Sequence, residues 1–129
     1  MNGSLASVIE LVEGIQFGLG AGQFENTELV VCPSSIFLME VSSMLGDTGV
    51  LLGAQNVCDQ AEGAFTGEVS ATMLKACGCR YALVGHSERR ALYLESDQQV
   101  ADRFAMAVKS GLIPILCVGE SLKEREEGL

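Results

Sequence analysis

Tryptophan is absent from this chain, aromatic residues make up only 5% of it, and histidine occurs once, at His86. With no indole and few rings, the interior must be filled by aliphatic side chains. Positive charge is scarce as well: 8 Lys and Arg stand against 17 Asp and Glu, a net charge of −9. A nucleic-acid binder needs a basic stripe to displace counterions from phosphates, so that class is excluded. A phosphorylated small molecule is not excluded, because backbone N–H groups at helix N-termini can hold it. Cys77-Gly78-Cys79 has no second ligand pair and the lone histidine lies elsewhere. The five cysteines, Cys32, Cys58, Cys77, Cys79 and Cys117, therefore read as reduced core thiols rather than metal ligands. No basic n-region with an apolar h-region opens the chain, and no apolar run approaches about 18 residues. No membrane partner is expected, and the expected location is cytoplasmic.

What is present is aliphatic and periodic. Hydrophobic residues form 48% of the 129 positions and the mean hydropathy is +0.31, which suits strands buried on both faces. The length suits one compact unit or a piece of a larger one, and residues 1–129 are read as a single domain. Val8, Ile9, Val12 and Ile15 recur at helical spacing behind Ser4, and Gly18-Leu19-Gly20-Ala21-Gly22 ends that helix. The glycine run follows a helix rather than a strand, so it is not taken as a dinucleotide loop. Leu29–Cys32 is a short buried strand closed by Pro33, and Ser34 or Ser35 is expected to cap a helix carrying Ile36, Phe37, Met39 and Val41. Val50–Gln55 reads as a second strand, followed by a long loop from Asn56 to Glu68 and a helix from about Gly67 to Ala76. A strand at Tyr81–Gly85 leads into a short helix from Ser87. Ser96-x-x-Gln99 is a capping box opening a helix with Val100, Phe104, Ala107 and Val108 on one side. Gly111 stops that helix, Ile113–Val118 is the last strand, and Ser121-x-x-Glu124 is a second capping box. The run Lys123–Glu127 is the solvated face of the helix it opens. Strand alternates with helix four times without hairpin signals, which is a parallel α/β pattern with a repeat of roughly thirty residues.

The stretch Tyr81-Ala82-Leu83-Val84-Gly85-His86-Ser87-Glu88-Arg89-Arg90 carries the chemistry. It puts the only histidine where a strand gives way to a helix, and α/β folds bind their ligands at the carboxyl ends of strands. A lone imidazole there is also compatible with a structural or incidental role. Glu88 reads equally as an N-terminal helix carboxylate stabilised by the macrodipole, the loop around Thr66 as an ordinary surface loop, and Cys117 as a packing thiol.

The same stretch resembles the triosephosphate isomerase family. So do Gly53-Ala54-Gln55-Asn56 followed by Phe65-Thr66-Gly67-Glu68-Val69-Ser70, and Ile113-Pro114-Ile115-Leu116-Cys117-Val118-Gly119-Glu120. The resemblance runs from Met1 to Leu129, with three blocks in the family's order. It implies a parallel (β/α)8 barrel, of which this chain holds about half. It also implies interconversion of dihydroxyacetone phosphate and glyceraldehyde 3-phosphate through an enediol, in glycolysis and gluconeogenesis. No cofactor or metal is implied, because the chemistry is proton transfer at a carbon made acidic by its carbonyl. His86 matches the electrophile; its role as a neutral ring is the family's established description and enters only through the resemblance. A helix N-terminus disfavours the imidazolium, which agrees with that role. Glu88 matches a supporting carboxylate, and Ser87 is expected to cap the following turn beside the ring. Cys117 matches a buried thiol near the site. Gln55, Thr66 and Gly67 match the segment that reaches into a second subunit of a homodimer. Arg89 and Glu95 match a buried ion pair touching that interface, costly to break from one side only.

The departures are equally specific. The family's lysine, its neighbouring asparagine, the catalytic glutamate and the phosphate-gripping loops have no counterpart in these residues. Met1 is thus expected to be an internal position just after the first barrel strand, and the segment alone is expected to be inactive. Four strands without closure leave two open edges, so marginal folding or association is expected. Leu94 stands where smaller or more polar residues are common. A non-catalytic half-barrel module, binding a phosphorylated ligand or a protein partner, is the alternative from a different class.

Overall fold

Each strand of this chain is a short, mainly aliphatic run, and strands alternate along the sequence with helical segments, the longest of which carry apolar residues every three or four positions. Such units pack as strands side by side with helices laid over them. A computed structural model describes residues 2–19, 26–120 and 122–128. Helix α1 spans Leu5–Leu19, and the Ser7 N–H donates to Ser4 Oγ at its start. Strand β1 is Val30–Val31, followed by a 3-10 turn at Ser35–Phe37 and helix α2 at Leu38–Leu45. Strand β2 is Leu51–Ala54, α3 is Ala71–Ala76, and β3 is Tyr81–Val84. Helices α4, Ser87–Leu92, and α5, Asp97–Lys109, lead to β4 at Ile113–Leu116 and α6 at Leu122–Glu127.

The strands lie in chain order, β1-β2-β3-β4, and every pairing is parallel. This is the expected arrangement, half of an α/β barrel. Leu52 and Ala54 of β2 and Ala82 and Val84 of β3 are buried with Val12, Leu38, Val41, Leu74, Val100 and Ala107 of the helices. These positions alternate along the strands, so one sheet face makes the core with the helical layer. Burying a leucine such as Leu74 contributes about 2 kcal/mol relative to leaving it in water. On β4, at the sheet edge, Ile113, Ile115 and Leu116 remain exposed.

Several local details differ from expectation. Neither Ser34 nor Ser35 caps α2 through its side chain; Ser34 only precedes the 3-10 turn, and Phe37 stands at the N-cap of the α-helix. Helix α3 begins at Ala71 rather than near Gly67, with Ser70 Oγ accepting the Met73 N–H. Gly67 has φ +92 and Glu68 is turned back on Phe65, so those residues close the loop instead of starting the helix. The box at Ser96 and Gln99 forms in full. The second box lies outside the described residues at Ser121, and so do Gly20–Gly22 of the glycine run. Leu94 is the one non-glycine with positive φ, at 56°, among the described residues. Among the described residues no helix is long and apolar enough to cross a membrane.

Candidate active site

Because all four strands run the same way, the residues that follow them gather at one rim: Cys32 after β1, Gln55 after β2, His86 after β3 and Cys117 after β4. Gln55 is exposed and its Nε2 donates to the Cys32 carbonyl at 2.9 Å, tying the ends of β1 and β2 together. Cys117 is half-buried, and its N–H donates to the Val84 carbonyl at 2.9 Å, extending the β3–β4 ladder by one residue towards the rim. The opposite rim is occupied by ordinary polar contacts. There Arg80 lies 3.1 Å from Glu28, and the Tyr81 hydroxyl donates to the same carboxylate.

Gly85 makes the exit from β3 with φ +73. A Cβ there would lie 2.8 Å from Val100 and 3.2 Å from Arg90, so the turn is available only to glycine. The next residue, His86, is half-buried and serves as N-cap of α4. Its Nδ1 accepts the Glu88 N–H at 3.2 Å, while its carbonyl accepts from Arg89 and Arg90. An acceptor nitrogen carries no proton, so in the neutral ring the N–H belongs to Nε2; the tautomer is assigned from this bond. The cap is therefore the imidazole itself, not the Ser87 hydroxyl, and Ser87 is an exposed first residue of the helix. Glu88, also exposed, sits in the first turn, where its charge favours the helix dipole.

Below this turn lies a buried ionic cluster. Arg89 Nε donates to Glu95 Oε1 at 2.7 Å, and the Glu95 side chain is 3% exposed. Arg103, on the buried face of α5, lies with its Nε 3.3 Å from the same oxygen. That approach is too poorly aligned to be a hydrogen bond, and both Arg103 Nε and Glu95 Oε2 are buried without a hydrogen-bond partner among the described residues. The two terminal nitrogens are both engaged: Nη1 donates to the Val57 carbonyl at 2.6 Å and to Glu68 Oε2 at 3.1 Å, and Nη2 donates to Glu68 Oε1 at 3.3 Å. Burial opposes the charged form of Arg103, but the hydrogen bonds and attraction from Glu68, with Glu95 and Asp59 adding, prevail and raise its pKa. Thr66 and Gly67, by contrast, lie exposed in the loop that Arg103 underpins. Arg103 was not singled out from sequence. The available signal was its place on the α5 stripe, three residues after Val100 and four before Ala107, where an apolar residue is the rule.

All five cysteines are free thiols. Burial, with Cys77 and Cys32 adding, pushes the Cys79 thiol up to about 11, and burial raises Cys32 too. Both are therefore protonated at neutral pH and suited to packing. Among the described residues no group of three His, Cys, Asp or Glu is placed to hold a metal ion.

A parallel βα sheet with a capping imidazole at its carboxyl rim defines a segment of the (β/α)8 barrel class, whose chemistry is carried at that end. A sequence model of the family described as Triosephosphate isomerase matches residues 1–129. The chain is 50% identical over 128 residues to the triosephosphate isomerase of Methylococcus capsulatus, covering 99% of this chain and 50% of that protein. It is 48% identical over 129 residues to that of Dechloromonas aromatica, covering 100% of this chain and 51% of the relative. With that of Alcanivorax borkumensis it shares 49% over 129 residues, covering 99% and 49%. The chain belongs to the triosephosphate isomerase family. It spans about half the length of these curated relatives.

Proposed function

We propose that this segment supplies the His86 half of the catalytic rim of a triosephosphate isomerase, acting on dihydroxyacetone phosphate and glyceraldehyde 3-phosphate in glycolysis and gluconeogenesis. The observation that carries the reading is the imidazole at the end of β3, with Nδ1 engaged by the Glu88 N–H and Nε2 left as the donor. A donor held there can polarise the carbonyl of a triose while a base supplied by the rest of the protein moves the proton between carbons. In this reading Glu88 supports the charge balance beside the ring, and Cys117 packs near it. Gln55, Thr66, Gly67, Arg89 and Glu95 serve the contact with a second subunit of a cytoplasmic homodimer. The base and the cation have no counterpart in residues 1–129, so the segment alone is expected to show no turnover.

The test is isomerisation of glyceraldehyde 3-phosphate by the full-length polypeptide that carries this segment, compared with its H86A variant. Loss of a positioned donor should lower kcat by about 10²–10⁴ while the far-UV circular dichroism stays unchanged. Turnover close to that of the parent would remove His86 from the reaction.

A further inference from the structure

We propose that Arg103 is the positioning residue of the 56–68 loop, and that through Glu95 it ties this loop to the helix capped by His86. Its catalytic consequence rests on the isomerase reading above; the clamp itself does not.

The loop is thirteen residues long and its tip is exposed, so its direction has to be set at its feet. One guanidinium holds both. The entry foot gives the Val57 carbonyl at 2.6 Å and, more distantly, Asn56 Oδ1 at 3.5 Å. The exit foot gives the two Glu68 oxygens at 3.1 and 3.3 Å, a side-by-side grip that only a planar fork can make. Two backbone bonds brace the same place, Cys58 N–H to the Val69 carbonyl at 3.0 Å and Glu68 N–H to the Phe65 carbonyl at 2.9 Å. Arg103 is 8% exposed and comes from α5, a different element from the loop, so it acts as a fixed post. On its other side Glu95 stands between Arg103 and Arg89, 3.3 and 2.7 Å away, and Arg89 belongs to α4. A displacement of the loop's feet is thus felt at the helix whose N-cap is the imidazole.

The experiment uses the full-length polypeptide with R103K and R103Q. Two measurements are made on each: native-state hydrogen exchange over residues 56–69, and isomerase kinetics. In R103Q, exchange in 56–69 should quicken by at least about tenfold while β2, β3 and α2 keep their rates. R103K should fall between R103Q and the parent, because one ammonium keeps the charge but cannot reach both feet. In R103Q kcat should fall about tenfold with KM within about twofold, since only geometry at the reacting centre is lost. Unchanged exchange in the loop, or equal acceleration everywhere, overturns the clamp. A loosened loop with undiminished kcat overturns the link to His86. No turnover in the parent sinks the isomerase reading instead, while exchange still reads the clamp. If R103Q does not fold, E68Q tests the same grip: exchange at 65–69 should rise more than at 56–58, and equal or absent change refutes it.

Discussion

Gly53 is the tightest point between the strands that lead to the rim, and Gly53→Ala should therefore destabilise the protein without any backbone strain. A Cβ on residue 53 would lie 2.6 Å from Cys32 Sγ, 3.0 Å from Val30 Cγ1 and 3.3 Å from Tyr81 Cβ. Ordinary carbon contacts are about 3.5–4.0 Å, so the sulfur is overlapped by about 1 Å and the valine by about half as much. Cys32 can swing its sulfur only by leaving its present rotamer, and Val30 in β1 and the Tyr81 Cβ still crowd the site, so full relief requires β1 to shift from β2. Overpacking of this kind costs about 1–3 kcal/mol, and three simultaneous contacts put the site in the upper half of that range. Alanine recovers about 0.5–1 kcal/mol by restricting the unfolded chain. The expected net loss is then about 1–2.5 kcal/mol, read from the midpoint of urea unfolding by circular dichroism at unchanged m. Because the sulfur is the worst contact, C32A/G53A should recover about 1 kcal/mol of what G53A loses, a coupling visible only in the double-mutant cycle. A G53A protein as stable as its parent, or a cycle with no coupling, would refute the close-approach argument.

Glu95→Gln removes the anion that stands between Arg89 and Arg103 and should cost about 2–3 kcal/mol in urea unfolding. That is below the usual figure for a broken buried pair, because Arg89 is partly exposed and Arg103 keeps Glu68; a loss under about 0.5 kcal/mol would show that the pair is already offset by its desolvation. Leu94→Gly should raise the melting temperature by a degree or two. The left-handed backbone at φ 56 costs a leucine about 1–2 kcal/mol, against about 0.5–1 for the looser unfolded glycine, and the side chain is 80% exposed. A clear fall in melting temperature would mean the Leu94 side chain makes packing that outweighs the strain. The Cys79 thiol, raised from 9.0 to about 11 in the fold, makes stability pH-dependent on the alkaline side only. Below pH 9 both states hold the proton and nothing changes; between 9 and 11 the unfolded chain releases it first, so stability falls with rising pH by about 2 kcal/mol. In C79A that part of the alkaline slope should vanish, and an identical slope in both proteins would refute the assignment.

How much of this was legible beforehand depended on whether a signal was local. The capping box at Ser96 and Gln99, the helical stripes of α1 and α5 and the alternation of strands with helices depend on residues a few positions apart, and all appear in the fold. The rim was legible for the same reason, since parallel strands compel their carboxyl ends to meet on one side. The cluster around Arg103 was not, because its partners lie 35 and 46 residues away in sequence and no periodicity links them. Helix α3 starts late for a related reason: Glu68 resembles a helix-opening acid by type, but its carboxylate is committed to Arg103. The missing cap at α2 shows the opposite failure, a pair of serines with the right chemistry on a chain that enters through a 3-10 turn instead.

In the proposed isomerase reading the cap of α4 has a second duty, because capping alone does not call for histidine. Serine, threonine, aspartate or asparagine would accept a backbone N–H at that position at least as well. A hydroxyl or carboxylate that accepted the Glu88 N–H would offer the space above the sheet either a rotating proton or none. The imidazole separates the two duties on two atoms of one rigid ring: Nδ1 accepts from the chain two residues ahead, and Nε2 is thereby made the donor and aimed by the same bond. The glycine turn at residue 85, closed to any side chain by Val100 and Arg90, fixes where that ring leaves the strand. In the proposed isomerase reading, local structure and chemistry at this point are one requirement, because the residue that caps the six-residue helix α4 also follows β3, one of the central strand pair.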